Sequence, residues 1–351
     1  MSHADPASQG RPTPPFRPAR PEVIVTIGDL IDDIVVRLRS PIAYESDTPA
    51  TIEHRRGGSA ANMAVAVAAL GHDARFIGHV GDDATGDRLI ATLRAEGVET
   101  VVRRGGRSAT VVVLLDEDGE RTMLTDRGSC ADLADPDPAW LDGVDALHIP
   151  LYSLIGGKLA ETAATMIEWA HDRSVMVSID ASSSSVIQGN RVKATRALLR
   201  RLRPDAVLCN ADEFETLFAS GPDSALEVAL DAIDAMSADR TWPGAAAGGK
   251  PAVPKPAVPE PAASAPDGEY TIVVKGGAAP TTVIGVDGTR VHVPVPPLDG
   301  VRDTTGAGDA FAAGFVSARV ERATYVDAVR AGHASARAAI AAASAPVTPR
   351  P

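Results

Sequence analysis

The chain has few cysteines, no long apolar run and no excess of basic residues, and each scarcity excludes a class of protein. Among 351 residues only Cys130 and Cys209 are cysteines, so neither a disulfide framework nor a cysteine-based zinc site can be built. No apolar stretch approaches the roughly 18 residues that suggest a membrane-spanning helix. The formal net charge of −12 argues against binding to nucleic acid or anionic membranes, because both favour a basic surface.

Two segments are too biased in composition to predict a packed structure. Residues 1–21 are rich in Pro and Arg and lack the apolar core of a secretory signal, so we expect a disordered tail and a cytoplasmic protein. Residues 241–268 contain 7 Pro, 8 Ala and 4 Gly, which predicts a solvated surface insertion. Within it, residues 244–250 (GAAAGGK) have the spacing of a phosphate-binding P-loop. Pro251 stands where that motif needs Ser or Thr, and no strand precedes it, so we reject a nucleotide site there.

Elsewhere, short β-branched runs alternate with helical patterns, which predicts an α/β fold with a mostly parallel sheet flanked by helices. The predicted strands are 23–27, 74–80, 144–149, 174–179, 206–209 and 271–275, and the predicted helices are 59–70, 84–96, 156–171, 190–201, 211–219, 223–236, 307–320 and 325–343.

Three strand-like segments interrupt this alternation, at about 31–37, 50–56 and 98–125, the last with a hairpin signal at Asp118-Gly119. We expect them to form a small separate sheet that shields a reacting centre as a lid, or alternatively an edge hairpin without a role.

The most informative stretch is residues 303–311 (DTTGAGDAF), which opens an apolar helix. Gly306, Ala307 and Gly308 are small enough for backbone amides at the positive end of the helix dipole to approach an anion. A carboxylate beside a bound phosphate is unfavourable for binding, but Asp309 at that place suits a base that takes a proton from an attacking hydroxyl. The alternative is a helix-capping Asp in a glycine-rich turn.

Three other polar stretches stand at the ends of predicted strands or the starts of helices. Residues 57–62 (GGSAAN) open a helix with paired glycines and Asn62, which suits a polyol, although Asn62 could equally be a capping residue. Asn210 and Glu213 follow a strand and share a helical face, so they could hold a hydrated Mg²⁺ or form an N-cap. Asp29, Asp32 and Asp33 follow the first strand and could bind hydroxyls or a metal, or be solvated loop acids.

These stretches, in this order and spacing, resemble the ribokinase family, also called the PfkB carbohydrate kinases, from about Val23 to Ala345. The resemblance implies a three-layer ribokinase-like fold with a β-sheet lid, a kinase domain over residues 22–345, and a short tail at 346–351. It implies an ATP-dependent kinase that acts on a sugar hydroxyl with Mg²⁺, and a homodimer formed through the lid.

The same resemblance implies roles for single residues. Asp309 matches the catalytic base, and Gly306, Ala307 and Gly308 match the anion hole. The remaining matches are substrate binding by Asp33, Gly57, Gly58 and Asn62; nucleotide binding by Lys275, Gly277, Thr305 and His333; Mg²⁺ binding by Asn210 and Glu213; and monovalent cation (K⁺) binding by Asp303.

The chain departs from the family pattern at three places. Pro280 replaces the usual second glycine of the nucleotide loop, the C-terminus lacks the usual Gly-Ala ending, and Ser59 stands where ribokinases proper usually carry Lys. The acceptor also stays open between a sugar and a nucleoside. The low aromatic content, 3 Trp, 4 Tyr and 6 Phe, favours a sugar, because purines are commonly held by stacking. A non-catalytic sensor on the same fold is a further alternative, although such a protein is expected to lose Asp309 or the small residues before it.

Overall fold

A computed structural model describes residues 21–116, 121–218, 271–285, 287–301 and 303–343. The strands are β1 (Val23–Ile27), β2 (Ile31–Leu38), β3 (Ala50–Gly57), β4 (Asp73–Val80), β5 (Val98–Arg104), β6 (Ala109–Leu115), β7 (Arg121–Asp126), β8 (Ala146–Pro150), β9 (Met176–Asp180), β10 (Ala206–Asn210), β11 (Thr271–Lys275), β12 (Thr281–Ile284) and β13 (Arg290–Val293). The α-helices are α1 (Ser59–Ala69), α2 (Ala84–Ala95), α3 (Gly157–Asp172), α4 (Ser184–Gly189), α5 (Val192–Leu202), α6 (Ala211–Phe218), α7 (Ala307–Val320) and α8 (Tyr325–Ala343).

Nine strands form the main sheet, in the order β13-β12-β11-β10-β9-β8-β1-β4-β5. All pairings from β11 to β5 are parallel, and β12 runs antiparallel to both of its neighbours. Helices connect the parallel strands, as such crossovers require. The mostly parallel α/β architecture predicted from the sequence is therefore confirmed.

Both faces of this sheet are buried, which gives the three layers. Ile24 of β1 packs on one face with α1, α2, α7 and α8, whereas Val25 packs on the other with α3, α5 and α6. Because successive side chains of a strand point to opposite faces, a strand buried on both sides reads as a continuous apolar run. This explains why VIVTI at 23–27 has no polar alternation.

A separate four-stranded sheet has the order β3-β2-β6-β7, with β2 and β6 parallel and the other pairs antiparallel. On one face Val35, Val111 and Val113 are buried together. On the other face Ile52 and Leu124 are 61% and 57% exposed. We call this element the lid sheet.

The predicted lid range of 98–125 is wrong in its first part. Residues 98–104 form β5 and pair in parallel with β4 at the edge of the main sheet. The reason is that α2 connects β4 to β5, and a strand that follows such a crossover returns to the same sheet. The turn at Asp118-Gly119 lies outside the described residues, but the flanking β6 and β7 do pair as the hairpin signal indicates.

Other predictions lie outside the described residues, namely the helix at 223–236, the insertion at 241–268, and the tails at 1–20 and 346–351. Within the described ranges, helix α4 was not predicted, and several strands begin one or two residues from their predicted starts. Among the described helices, none is both long and apolar enough to span a bilayer.

Candidate active site

The candidate site lies where the parallel strands β9, β10 and β11 end and where α1 and α7 begin. Asp180, Asn210 and Lys275 are the last residues of these three strands. In open α/β sheets, ligands bind at the carboxyl ends of the strands, so this edge is the expected place for a reaction.

Asp309 is the third residue of α7, and two groups from the start of α1 bind its carboxylate. The hydroxyl of Ser59 donates to Oδ1 at 2.6 Å, and the amide of Asn62 donates to Oδ2 at 3.0 Å. Burial raises the pKa of Asp309 to about 6, although the two hydrogen bonds act in the opposite direction. The side chain is half-buried, so it is not sealed in the core. A carboxylate with this pKa is ionised near neutral pH and basic enough to accept a proton.

The turn before α7 presents backbone amides to the same place. Gly306 caps the helix with a φ of 75°, a conformation that favours glycine. The amide of Ala307 donates to the carbonyl of Thr304, whereas Gly308 and Asp309 lie in the first turn, where a helix supplies no acceptor for their amides. The amides of residues 308 and 309 are therefore better placed to bind an anion than that of 307, and the anion hole itself stays a prediction.

The lid sheet contacts this turn directly. Arg121, the first residue of β7, donates from Nη1 to the hydroxyl of Thr305 at 2.9 Å. The amide of Thr305 in turn donates to Oδ1 of Asp303 at 2.8 Å, which stabilises the turn. The structure thus brings a lid guanidinium next to the amides at the start of α7.

The predicted substrate residues come together where the lid sheet meets α1. Asp33 lies against Gly57, since a Cβ added at Gly57 would be 2.3 Å from its carboxylate oxygen. Gly58 has a φ of 98°, and a Cβ there would be 2.2 Å from the carbonyl oxygen of Asp29, so only glycine fits. Burial, together with the neighbouring Asp32, raises the pKa of Asp33 to about 6. A carboxylate of this kind is well suited to accept hydrogen bonds from substrate hydroxyls.

Lys275 lies on the other side of the α7 turn and is paired with a residue that sequence reasoning missed. Its ammonium contacts Oδ2 of Asp180 at 2.6 Å, and it would lie 3.5 Å from a Cβ at Gly308. Burial alone would lower the pKa of Lys275, but the adjacent carboxylates of Asp180 and Glu213 raise it, so the positive charge is retained. Gly277 follows in the turn after β11 with a φ of 65°.

His333 does not lie with this group. It is buried in α8, where its Nε2 is 2.8 Å from the hydroxyl of Thr281 and its ring is 5.6 Å from that of Phe311. Burial lowers its pKa, so the neutral imidazole is favoured. Its predicted contact with a nucleotide stays a prediction.

Asn210 and Glu213 form a reciprocal cap at the start of α6. The Asn210 side chain accepts from the Glu213 amide at 2.8 Å, and Oε2 of Glu213 accepts from the Asn210 amide at the same distance. Burial and the charge of Asp180 raise the pKa of Glu213. The carboxylates of Glu213 and Asp180 suit a hydrated Mg²⁺, which prefers carboxylate and water oxygens, whereas the ammonium of Lys275 beside them suits phosphate oxygens.

Four residues of the site were not predicted as functional from the sequence. Asp180 could have been found, because it ends a strand as Asn210 does. Ser59 was noted in the sequence only as a departure from the family pattern. No pattern in the neighbouring sequence indicates a role for Arg121, or for Arg56, whose guanidinium donates to Asn62. Their roles depend on contacts between segments distant in sequence.

Comparison with known proteins agrees with the geometry. The family model described as pfkB family carbohydrate kinase matches residues 22–241 and 254–348. Fructokinase-1 of Oryza sativa subsp. japonica is 30% identical over 212 residues, covering 58% of this chain and 64% of that protein, less than two thirds of its length. An ATP-dependent ribose-1-phosphate kinase of Halopiger xanaduensis is 28% identical over 338 residues, covering 90% of this chain and 94% of that protein.

Solved structures share the fold over nearly the whole chain. The crystal structure of an adenosine kinase from Sinorhizobium meliloti has a TM-score of 0.72 at 23% identity, covering 95% of this chain and 96% of that chain. A ribokinase from Thermotoga maritima has a TM-score of 0.67 at 20% identity, covering 91% and 93%. At such identities the likeness establishes the three-layer fold and leaves the substrate open.

Proposed function

Since the chain belongs to the pfkB family of carbohydrate kinases, we propose that it transfers the γ-phosphoryl group of ATP to a hydroxyl, preferably primary, of a sugar or sugar derivative. The observation that supports this most directly is the half-buried carboxylate of Asp309 at the open start of α7, with a pKa raised to about 6. Phosphoryl transfer needs such a base beside a group of anion-binding amides.

In the proposed reaction, Asp309 accepts the proton of the acceptor hydroxyl while that oxygen attacks the γ-phosphorus. The bond from the γ-phosphorus to the bridging oxygen breaks, and ADP leaves with the electron pair. The amides of residues 308 and 309 and the ammonium of Lys275 stabilise the charge on the transferring group. Bound Mg²⁺, held through water by Asn210 and Glu213, would neutralise phosphate charge.

The acceptor pocket comprises Asp33, Gly57, Gly58 and Asn62, all at the junction of the lid sheet and α1. Carboxylate and amide groups suit the hydroxyls of a sugar. The relatives named fructokinase and ribose-1-phosphate kinase favour a sugar or sugar phosphate as well. Val111 pairs with Asp33 and therefore lies on the same face of the lid sheet, in a buried cluster with Val35 and Val113. Aliphatic side chains cannot stack a purine as an aromatic ring does, so we favour a sugar over a nucleoside.

Two finer proposals concern K⁺ and the oligomeric state. Asp303 is proposed to support a monovalent cation site, tested by comparing turnover in K⁺ and in a bulky organic cation. The outer face of the lid sheet exposes Ile52 and Leu124, which supports a homodimer formed through this face. A location in the cytoplasm is part of the proposal, because ATP is supplied there.

The proposal is tested by an ADP-release screen of sugars, sugar phosphates and nucleosides with Mg-ATP, with Asp309→Asn as the matched control. We expect one sugar class to give turnover that the control lacks. If nucleosides alone are phosphorylated, the acceptor assignment is wrong. If no acceptor of any class gives ADP above the control, the kinase proposal is refuted and a sensor function is favoured.

A further inference from the structure

Arg56 connects the lid sheet to the candidate base through two hydrogen bonds. It is the last residue but one of β3, and its side chain is only 13% exposed. Its Nη1 donates to Oδ1 of Asn62 at 2.6 Å, and its Nε donates to Glu96 at 3.0 Å. The guanidinium is therefore held by Glu96 while it contacts Asn62.

This contact determines which way the Asn62 amide is turned. A guanidinium only donates, so the oxygen of the amide must face Arg56. The NH₂ group then faces the other way, where it donates to Oδ2 of Asp309 at 3.0 Å. With the amide reversed, NH groups would face the guanidinium and oxygen would face carboxylate, so both contacts would be repulsive.

The orientation has a consequence for the proton on Asp309. An amide NH₂ can only donate, so it binds Oδ2 most strongly while the carboxylate is ionised, and a proton placed on Oδ2 would displace this bond. We infer that Arg56 is a positioning residue which, through Asn62, holds Asp309 in the ionised form and the rotamer needed to accept a proton. The inference rests on the proposed function, in which Asp309 is the base.

Other groups also act on Asp309 and must be kept constant in any test. Ser59 of α1 donates to Oδ1, Asp180 of β9 raises the pKa of Asp309, and Lys275 of β11 lowers it. The charge of Arg56 itself lowers the pKa of Asp33 in the acceptor pocket. A test must therefore separate an effect transmitted by Asn62 from one of charge alone.

The kinetic test compares Arg56→Met, Asn62→Ala and the double variant across pH 5 to 9. Loss of one hydrogen bond to an ionised group is expected to move the acid limb of kcat/KM upward by roughly one pH unit. The double variant should shift no further than Asn62→Ala, because both changes remove the same bond. Arg56→Lys should restore part of the shift, since it retains a donor.

Arg55→Met is the control, because it removes an equal charge from the same strand while its guanidinium donates to Glu53 instead. Because Arg55, like Arg56, lowers the pKa of Asp33, this variant reproduces that charge effect, and the inference predicts for it a clearly smaller shift of the acid limb than for Arg56→Met. Equal shifts in Arg55→Met and Arg56→Met would overturn it, as would additive shifts in the double variant. A raised KM for the acceptor with an unchanged acid limb would assign Arg56 to substrate binding and would also overturn it.

A second measurement separates this inference from the proposed function. The carboxyl carbon of Asp309 can be titrated by NMR in the protein without substrate, with Asp309→Asn identifying the signal. An upward shift in Arg56→Met supports the positioning role even if no acceptor is ever phosphorylated. An unchanged titration refutes the role even in a protein that phosphorylates sugars.

Discussion

Replacing Asp309 by Asn is expected to abolish activity and to stabilise the protein above pH 6. The substitution removes the proposed base, and general base catalysis contributes about 10²- to 10⁴-fold in rate. It also removes a carboxylate whose pKa burial raises from the ordinary 3.8 to about 6. A rise of about two pH units corresponds to about 3 kcal/mol against the ionised form in the folded protein.

The sign follows from the direction of that pKa shift. Because the folded protein disfavours ionised Asp309, this cost is absent below pH 3.8, grows between pH 3.8 and 6, and is complete above pH 6. An Asn at position 309 has one side-chain oxygen where Asp309 has two. If that oxygen accepts from the Ser59 hydroxyl, an NH₂ group faces the NH₂ group of Asn62, and the bond to Asn62 is lost. The loss of the Asn62 bond offsets part of the gain, leaving roughly 1 to 2 kcal/mol.

The assay measures thermal unfolding of both proteins at pH 4.5 and pH 8, together with ADP release at pH 8. We expect Asp309→Asn to unfold a few degrees higher than the wild type at pH 8 and within about one degree of it at pH 4.5. Near-wild-type turnover would refute the assignment of the base. An equal difference in unfolding temperature at both pH values would refute the reasoning about burial and pKa.

Three further substitutions test the surroundings of the site. Gly58→Ala should lower the free energy of unfolding, measured in urea, by at least about 2 kcal/mol, because the added Cβ meets the backbone carbonyl of Asp29. Gly71→Ala is the control: its φ is 90° but a Cβ there would lie in open space, so it should cost less. Equal costs would contradict the close-approach argument. Lys275→Met should destabilise the fold by about 3 to 5 kcal/mol, because it leaves the buried Asp180 carboxylate unpaired. The double variant with Asp180→Asn should recover stability but not turnover. Recovered turnover would exclude a role for the ammonium in the reaction. Arg121→Ala removes the contact between the lid sheet and the α7 turn, so it should lower kcat/KM several-fold while changing the free energy of unfolding by less than about 1 kcal/mol. Unchanged kinetics would show that this contact is dispensable.

Much of the architecture was predictable because its signals are local. Continuous apolar runs such as 23–27 indicate strands buried on both faces, and the helical patterns between them require a parallel sheet. The one error of sheet assignment, at 98–104, arose because alternation identifies a strand but not its partner. The helix predicted at 84–96 was the signal that could have assigned it, since a crossover helix returns the chain to the same sheet.

The candidate site divides in the same way. The helix start at residues 306–309 was predictable because its small residues and its carboxylate are adjacent in the chain, and the chemistry proposed for them depends on that adjacency. The hydrogen-bond partners of Asp309 could not be predicted from the sequence. Ser59 and Asn62 are about 250 residues away in the chain and contact Asp309 only because α1 packs beside α7.

By itself, therefore, the sequence determined the layers of the fold and the position of the candidate base, since both follow from patterns within a single segment. Only the tertiary structure decided the environment of that base: its burial, the pairing of Lys275 with Asp180, and the hydrogen bonds that run from Arg56 to Asp309. Burial and charge pairing are properties of several segments packed together, and no single segment of the sequence contains them.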